Sequence, residues 1–302
     1  MNSGRARIIE IDVKSALNKV VSARRPDMRW SLNPYRGCKH GCVYCYARYT
    51  HTFFDLDPDR DFSSTVFVKR NLPGALRRDL RKLGWPRPRI SIGTATDPYQ
   101  PIEGRYRLTQ AALKILRDQL TPASLITKNT MALRDADLMA SLHRAAGFSL
   151  CISLITVDEA LARSLEPDAP SPAQRLRVVQ ELARAGVPVS VAIAPVMPGL
   201  TDGEAQLRDL IQAIHDHGGR VGYHQSFKMY ADTRKTLFGW LQRERPHLLS
   251  WYRRVYGAGS EAPRAYERQL AARIARLRTA IAPHSTPPPA FSRPAGQLSL
   301  GL

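Results

Sequence analysis

Apolar positions along the chain follow two periods. Arg89 to Thr94, Ser124 to Lys128, Phe148 to Ile155, Val187 to Pro195 and Arg220 to His224 are short, alternating or β-branched runs that predict strands. Leu72 to Leu83, Leu108 to Leu120, Leu133 to Ala145, Pro172 to Ala185 and Asp202 to His217 carry apolar residues at helical spacing, as at Leu108, Ala111, Ile115 and Leu116. Gly186 is placed to end one helix, and Thr201 or Asp202 to cap the start of another. With Trp30 to Pro34 as a first strand, the alternation predicts about six βα units and a parallel sheet. The fold class is therefore α/β, and either a partial (β/α)6 TIM-type barrel or a flavodoxin-like open sheet satisfies the pattern.

The strands divide by side-chain size. Phe148, Leu150, Ile152 and Leu154 share one face, and Ser149, Cys151 and Ser153 the other. Ser190, Ala192 and Ala194 form a second small-residue face. Large faces are expected to pack against outer helices, and small ones to line a lumen with room for ligands. Residues 1–29 read as an irregular or partly helical basic arm, 30–224 as the α/β core and 225–282 as a helical C-terminal extension. That extension holds Phe227, Tyr230, Phe238, Trp240, Trp251, Tyr252, Tyr256 and Tyr266. Its aromatics are expected chiefly to cap the core, with base stacking as the alternative. Residues 283–302 are Pro-rich, and their composition predicts disorder.

Charge adds a class of partner. Lys and Arg number 45 against 26 Asp and Glu, a net charge of +19 over 302 residues. Such an excess suits phosphate neutralisation on nucleic acid. No apolar run reaches membrane-spanning length, and no basic amphipathic anchor stands out, so a membrane is not expected as a partner. The first residues lack the apolar stretch of a secretory signal, and four cysteines, mostly clustered, suit a reducing cytoplasm.

Three of the four cysteines fall in Cys38-Lys-His-Gly-Cys42-Val-Tyr-Cys45. Soft thiolates at this spacing suit an iron–sulfur cluster or zinc. Zinc closed by His40 as fourth ligand is one reading, giving a non-catalytic nucleic-acid-binding module. A cubane held by three cysteines, with one iron open to a ligand, is the other. The CxxxCxxC spacing, with Tyr44 in the aromatic position before the last cysteine, resembles the signature of the radical S-adenosylmethionine (SAM) superfamily. Tyr44 and Tyr46 on either side of Cys45 resemble its spore photoproduct lyase-like branch, related to DNA repair photolyases.

The resemblance implies the partial barrel, a 4Fe–4S cluster on Cys38, Cys42 and Cys45, SAM on the open iron, and an external electron donor. It further implies that Thr96 and Asp97 take the place of the Gly-Gly-Glu turn that holds SAM's amino group in many relatives. Lys128 would meet SAM's carboxylate, and Ser153 would contact SAM. Glu166 and Arg175 would either pair to fix their loop or reach SAM. The turn from Pro195 to Asp202 would border the adenine. One departure stands out: Thr94 occupies the position of the lyase's hydrogen-donating cysteine, and a threonine O–H bond is too strong to replace a thiol. Cys151, if it faces the lumen, and Tyr46 are the catalytic candidates that remain. The expected function is a radical SAM, lyase-like enzyme acting on DNA or another nucleic acid, in repair or base modification. A protein or small-molecule substrate is the alternative. Gln297, Leu298, Leu300 and Leu302 resemble a bacterial sliding-clamp-binding peptide.

Overall fold

A computed structural model describes residues 6–21, 28–82, 85–257 and 259–281. The proposed clamp-binding peptide and the rest of 283–302 lie outside the described residues. The strands are β1 (Arg7–Ile11), β2 (Leu17–Lys19), β3 (Trp30–Leu32), β4 (Tyr35–Arg36), β5 (Thr65–Lys69), β6 (Ile90–Ile92), β7 (Ala123–Thr127), β8 (Phe148–Ser153), β9 (Val189–Val196) and β10 (Val221–Ser226). Seven of them form one sheet in the order β10-β9-β8-β7-β6-β3-β2. Strands β3, β6, β7, β8, β9 and β10 run parallel in chain order, and β2 adds an antiparallel edge. Among the described residues β2 and β10 do not pair, so the fold is a partial TIM-type barrel and not a closed one.

The register explains the small-residue faces. Ser31 pairs with Ser91, Ser91 with Ser124, and Ser124 with Ser149, so one rung of serines crosses four strands. One rung further toward the carboxyl ends, Ile126 pairs with Cys151 and Cys151 with Ser190. Alternation then puts Lys128, Ser153 and Ala192 on the same inner side at the mouth. The opposite faces, including Ile90, Leu125, Leu150, Ile152 and Val191, are buried in the main core against the helices. Most residues on this inner face are small, unlike the bulky layers that fill a full barrel.

Three local readings differ from the structure. The N-terminal arm carries two strands, because Ile8, Ile9 and Ile11 find a partner in the apolar run of β5. That pairing forms a second sheet, β1-β5-β4, behind the cysteine loop. The helix Glu204–Asp216 begins after Gly203, and Gln206 Oε1 accepts the Gly203 N–H at 3.3 Å. Thr201 and Asp202 instead accept from Met197 N–H at 2.8 Å and Gly199 N–H at 2.7 Å, tightening the preceding turn. The helix Glu159–Leu165 has its own cap, Asp158, which accepts from Ala160 and Leu161 N–H. Gly186 ends the helix Pro172–Arg184 with φ +76°, as its position predicts.

The C-terminal helices serve two cores. Leu270, Ile274 and Leu277 of Arg264–Ile281 join the main core. Ala231–Glu244 and Pro246–Tyr256 close a second one, where Phe227, Trp240, Tyr252 and Tyr256 are buried with Cys42, Val43 and Tyr44. These aromatics are a cap on the cysteine loop. Among the described residues no helix is long and apolar enough to cross a membrane.

Candidate active site

The cysteine loop leaves β4 and lies across the mouth of the barrel. Gly37 turns it at φ +81°, where a Cβ would meet the Thr65 carbonyl at 2.5 Å, so only glycine fits. Cys38 N–H donates to Phe62 O at 3.2 Å and Val43 N–H to Leu165 O at 3.0 Å. Arg48 donates to Cys42 O at 3.0 Å and, through its other nitrogen, to Pro58 O and Asp59 O. Thr233, from the C-terminal cap, donates to Cys45 O at 2.9 Å. Every backbone group so held is fixed by a different part of the chain.

Cys38 and Cys42 are buried and Cys45 is half-buried. Burial raises all three thiol pKa values, that of Cys42 to about 12, and mutual repulsion adds to the rise at Cys38 and Cys42. Thiolates here require a cation beside them. Among the described residues no three His, Cys, Asp or Glu side chains converge on a point that would hold one metal ion. A zinc site needs such convergence, whereas a cubane takes each thiolate on a different iron. His40 is also engaged on both sides. Its Nδ1 lies 3.4 Å from Asp97 Oδ2, and its Nε2 is 3.3 Å from the Asn129 amide nitrogen. Burial lowers its pKa, so the ring is neutral and bridges two loops. In this structure His40 bridges Asp97 and Asn129, which speaks against its serving as a fourth zinc ligand. The donor set that remains, three soft sulfurs spread along one braced loop, fits a cubane.

Thr96 and Asp97 are both buried and both turned toward the protein. Thr96 Oγ1 donates to Gly37 O at 2.6 Å. Asp97 Oδ1 accepts from Thr127 Oγ1 at 2.7 Å and Tyr99 N–H at 2.9 Å, and its Oδ2 from Lys128 N–H at 2.8 Å. Gln100, which sequence reasoning missed, completes this clamp. Its amide donates to Gly37 O at 3.0 Å and to Thr96 Oγ1 at 2.9 Å, and its Oε1 accepts Lys39 N–H at 3.1 Å. Nothing in its local sequence marks it. Asn33 performs the same service one strand away, accepting Ala95 N–H at 2.8 Å. Replacing Asp97 by alanine strips the acceptor from two backbone N–H groups and a buried hydroxyl. The expected cost is about 1–3 kcal/mol, read as a lower denaturant midpoint; an unchanged midpoint rules out the clamp.

Beside the loop lies a buried ionic group. Glu166 Oε2 is 2.5 Å from an Arg175 terminal nitrogen, Glu166 Oε1 is 3.8 Å from Lys128 Nζ, and the Tyr44 hydroxyl donates to Oε1. Arg175 also donates to Pro170 O at 2.7 Å and Ser153 O at 3.1 Å, which ties the end of β8 to the loop. Of the two roles expected for Glu166 and Arg175, the structure shows the pairing. Burial raises the Glu166 pKa, but Arg175 and Lys128 together lower it further, and the group is ionised. Lys128 sits with its ammonium 5.9 Å from the Tyr44 ring centre, and nearby Cys42 and Glu166 outweigh burial to raise its pKa. Among the described residues its ammonium makes a single long ion pair, which leaves N–H donors for a ligand.

The other candidates are placed as follows. Ser153 is buried at the mouth, and Cys151 lies one rung deeper on the inner face and is half-buried. Tyr46 donates its hydroxyl to Thr94 O, and its ring is 5.7 Å from that of Tyr230. Thr94 Oγ1 accepts from the Asn33 amide at 3.2 Å. The turn Pro195 to Asp202 packs under the cap, where Tyr252 donates to Pro198 O. Cys38, Cys42, Cys45, Lys128, Ser153 and Tyr46 are thus gathered at one end of the sheet.

Comparison with known proteins converges on the same region. The family model described as the radical SAM superfamily matches residues 32–211. An uncharacterised protein of Mycobacterium tuberculosis (strain H37Rv) is 38% identical over 268 residues, 89% of this chain and 79% of its own. Spore photoproduct lyase complexed with dinucleoside spore photoproduct superposes with a TM-score of 0.66 at 15% identity, covering 91% of this chain and 80% of the lyase. A double mutant of that lyase with bound AdoMet and the same dinucleoside gives 0.65 at 16% identity, with equal coverage. At these identities the lyases establish likeness of fold.

Proposed function

The chain belongs to the radical SAM superfamily, whose members use a 4Fe–4S cluster and SAM, and from that premise we propose that it applies this chemistry to nucleic acid, at a lesion or modified base. When bound and reduced, the cluster and SAM supply a 5′-deoxyadenosyl radical that abstracts hydrogen. Cys38, Cys42 and Cys45 hold the cluster. Lys128, with spare donors beside the loop, meets the carboxylate of SAM, and Ser153 borders it from the end of β8. Glu166 and Arg175 position Lys128 and β8, because their own polar atoms are turned on each other and on the backbone. Thr96 and Asp97 act through the clamp that sets the height of the loop. An external one-electron donor and a reducing compartment such as the cytoplasm are what such a cluster requires.

The observation that carries this reading is the braced three-thiol loop over a lumen lined with small residues. The net charge of +19 supports a polyanionic substrate. The lyase-like fold supports a nucleotide-based one. Thr94, bonded to Asn33 where the lyase carries its donor cysteine, supports a reaction other than reversal of the spore photoproduct.

Anaerobically reconstituted protein with dithionite and SAM is expected to release 5′-deoxyadenosine, and DNA binding is expected to weaken steeply with salt. Failure to cleave SAM under any reducing condition overturns the enzymatic reading. Cleavage without any binding to nucleic acid at low salt transfers the enzyme to a protein or small-molecule substrate.

A further inference from the structure

The second sheet carries a feature that the site above does not use. Arg36 on β4 stands opposite Phe67 on β5, and Lys69, two residues beyond Phe67, projects from the same face. The two cations are therefore neighbours. Lys69 is 7% exposed, and among the described residues its ammonium has no hydrogen bond or ion pair to a carboxylate. Burial, then repulsion from Arg36, lowers its pKa to about 8, and no acidic group offsets either effect. The Arg36 guanidinium is half-buried and spends one nitrogen on Thr50 O at 3.2 Å. Two sheltered cations without an anion are unusual, since buried charge is ordinarily paired.

The same place is roofed by aromatic rings. The segment Tyr46–Phe54, which follows the last cysteine, presents Tyr49, Phe53 and Phe54 outward, with Phe53 66% exposed. Phe54 stacks on Phe67 at 4.2 Å, and Tyr49 meets Phe53 edge-on at 5.8 Å. The Arg36 guanidinium lies 4.7 Å from the centre of Phe54 and 5.3 Å from that of Phe53. The rings are thus held in place by the sheet and the arginine, while their outer faces remain open.

We propose that Arg36 and Lys69 bind a backbone phosphate of a single-stranded nucleic acid, and that Phe53 and Tyr49 stack the adjoining unpaired bases. Paired cations answer one compact anion, and open aromatic faces answer bases of any sequence. The geometry deepens the nucleic-acid reading and rests on it. It names the substrate region as single-stranded or locally opened, held beside the cysteine loop. A protein electron donor is the competing occupant of an exposed aromatic patch, but it gives no reason for two sheltered cations lacking a carboxylate.

The test measures fluorescence anisotropy of a labelled single-stranded oligonucleotide and of its duplex, with the full-length reconstituted protein. Wild type is expected to favour the single strand. Phe53→Ala is expected to weaken binding about tenfold, the loss of roughly one stacked base. Lys69→Met is expected to lower the salt slope by about one phosphate contact. Phe53 is on the surface, so its variant keeps the test valid even where Lys69→Met disturbs folding, which a thermal melt reports. Binding of both variants at wild-type strength overturns the proposal while leaving nucleic-acid action intact. So does slowed reduction by a flavodoxin-type donor with oligonucleotide binding unchanged. Inorganic phosphate competing at the site without any oligonucleotide binding there assigns it to a free anion and likewise overturns it. No nucleic-acid binding by wild type at low salt defeats the broader reading instead.

Discussion

Replacing Cys42 by alanine is expected to eliminate the visible absorbance of the reconstituted cluster and, with it, the release of 5′-deoxyadenosine. The middle cysteine is the most firmly set of the three. Its carbonyl is gripped by Arg48, its side chain is buried in the cap's apolar cluster, and the next residue is anchored on Leu165 O. No other soft ligand stands ready to replace it, because His40 is committed to Asp97 and Asn129. The folded chain should survive the change. Truncating a buried thiol to alanine removes one sulfur from a core that many other side chains hold together, and the expected loss is about 1 kcal/mol before the cluster's own contribution. Cys151→Ala makes the contrast. That thiol lies in a strand on the lumen face, away from the loop, and its variant is expected to retain the iron content of wild type. Equal iron in wild type and Cys42→Ala refutes the ligand assignment; iron loss in both variants brings Cys151 into it.

The parts of this site that were legible in the sequence are those written in local chemistry. Three thiols within one turn of chain, a lysine at the end of a strand and alternating small residues on β8 and β9 need only covalent spacing to be interpreted. The serine rung needs one step more, since Ser31, Ser91, Ser124 and Ser149 come together only once the strand register is known. The brace around the loop was not legible at all. Gln100 reaches Gly37, and Thr233 reaches Cys45 across most of the chain. Such contacts depend on how the cap and sheet are docked, and a glutamine or threonine in isolation looks like any surface residue. The N-terminal strands were missed for a related reason. Ile8, Ile9 and Ile11 have β propensity, but a strand becomes worthwhile only where β5 lies alongside to pair with it. Thr96 and Asp97 show the opposite hazard. Their types suit an amino-group ligand, yet in this structure Thr96 bonds the cysteine loop at Gly37 O and Asp97 bonds Tyr99 N–H and the end of β7 at Thr127 and Lys128.

Glu166→Gln is expected to produce the largest loss of stability of any single conservative change in the site, about 3–5 kcal/mol. Its side chain has no exposure, and among the described residues it is the only carboxylate in an ion pair with Arg175 or Lys128. Arg175 is itself buried and cannot turn to water. Neutralising the glutamate therefore leaves an uncompensated guanidinium inside the protein, and gives the Tyr44 hydroxyl a weaker acceptor. Against a typical total of about 5–15 kcal/mol, that is a large fraction. The measurement is a denaturant midpoint at constant m-value; a midpoint within experimental scatter of wild type shows that the ionic group is not structural. The pH dependence follows from the sign of the shift. The folded Glu166 pKa lies below its ordinary 4.5, so the group's stabilisation is fully present above that value and disappears as pH falls through the lower, folded-state value. Wild type and Glu166→Gln should accordingly converge in stability in acid and diverge toward neutrality. The paired variant Glu166→Leu/Arg175→Leu is expected to recover much of the loss, because it removes the stranded charge and refills the space with apolar atoms. Lys128 would remain as a mostly buried cation beside Cys42, so the recovery is expected to be incomplete. Recovery of stability without recovery of SAM binding would separate the structural task of this group, holding β8 to the cysteine loop, from its proposed one, orienting Lys128 toward SAM.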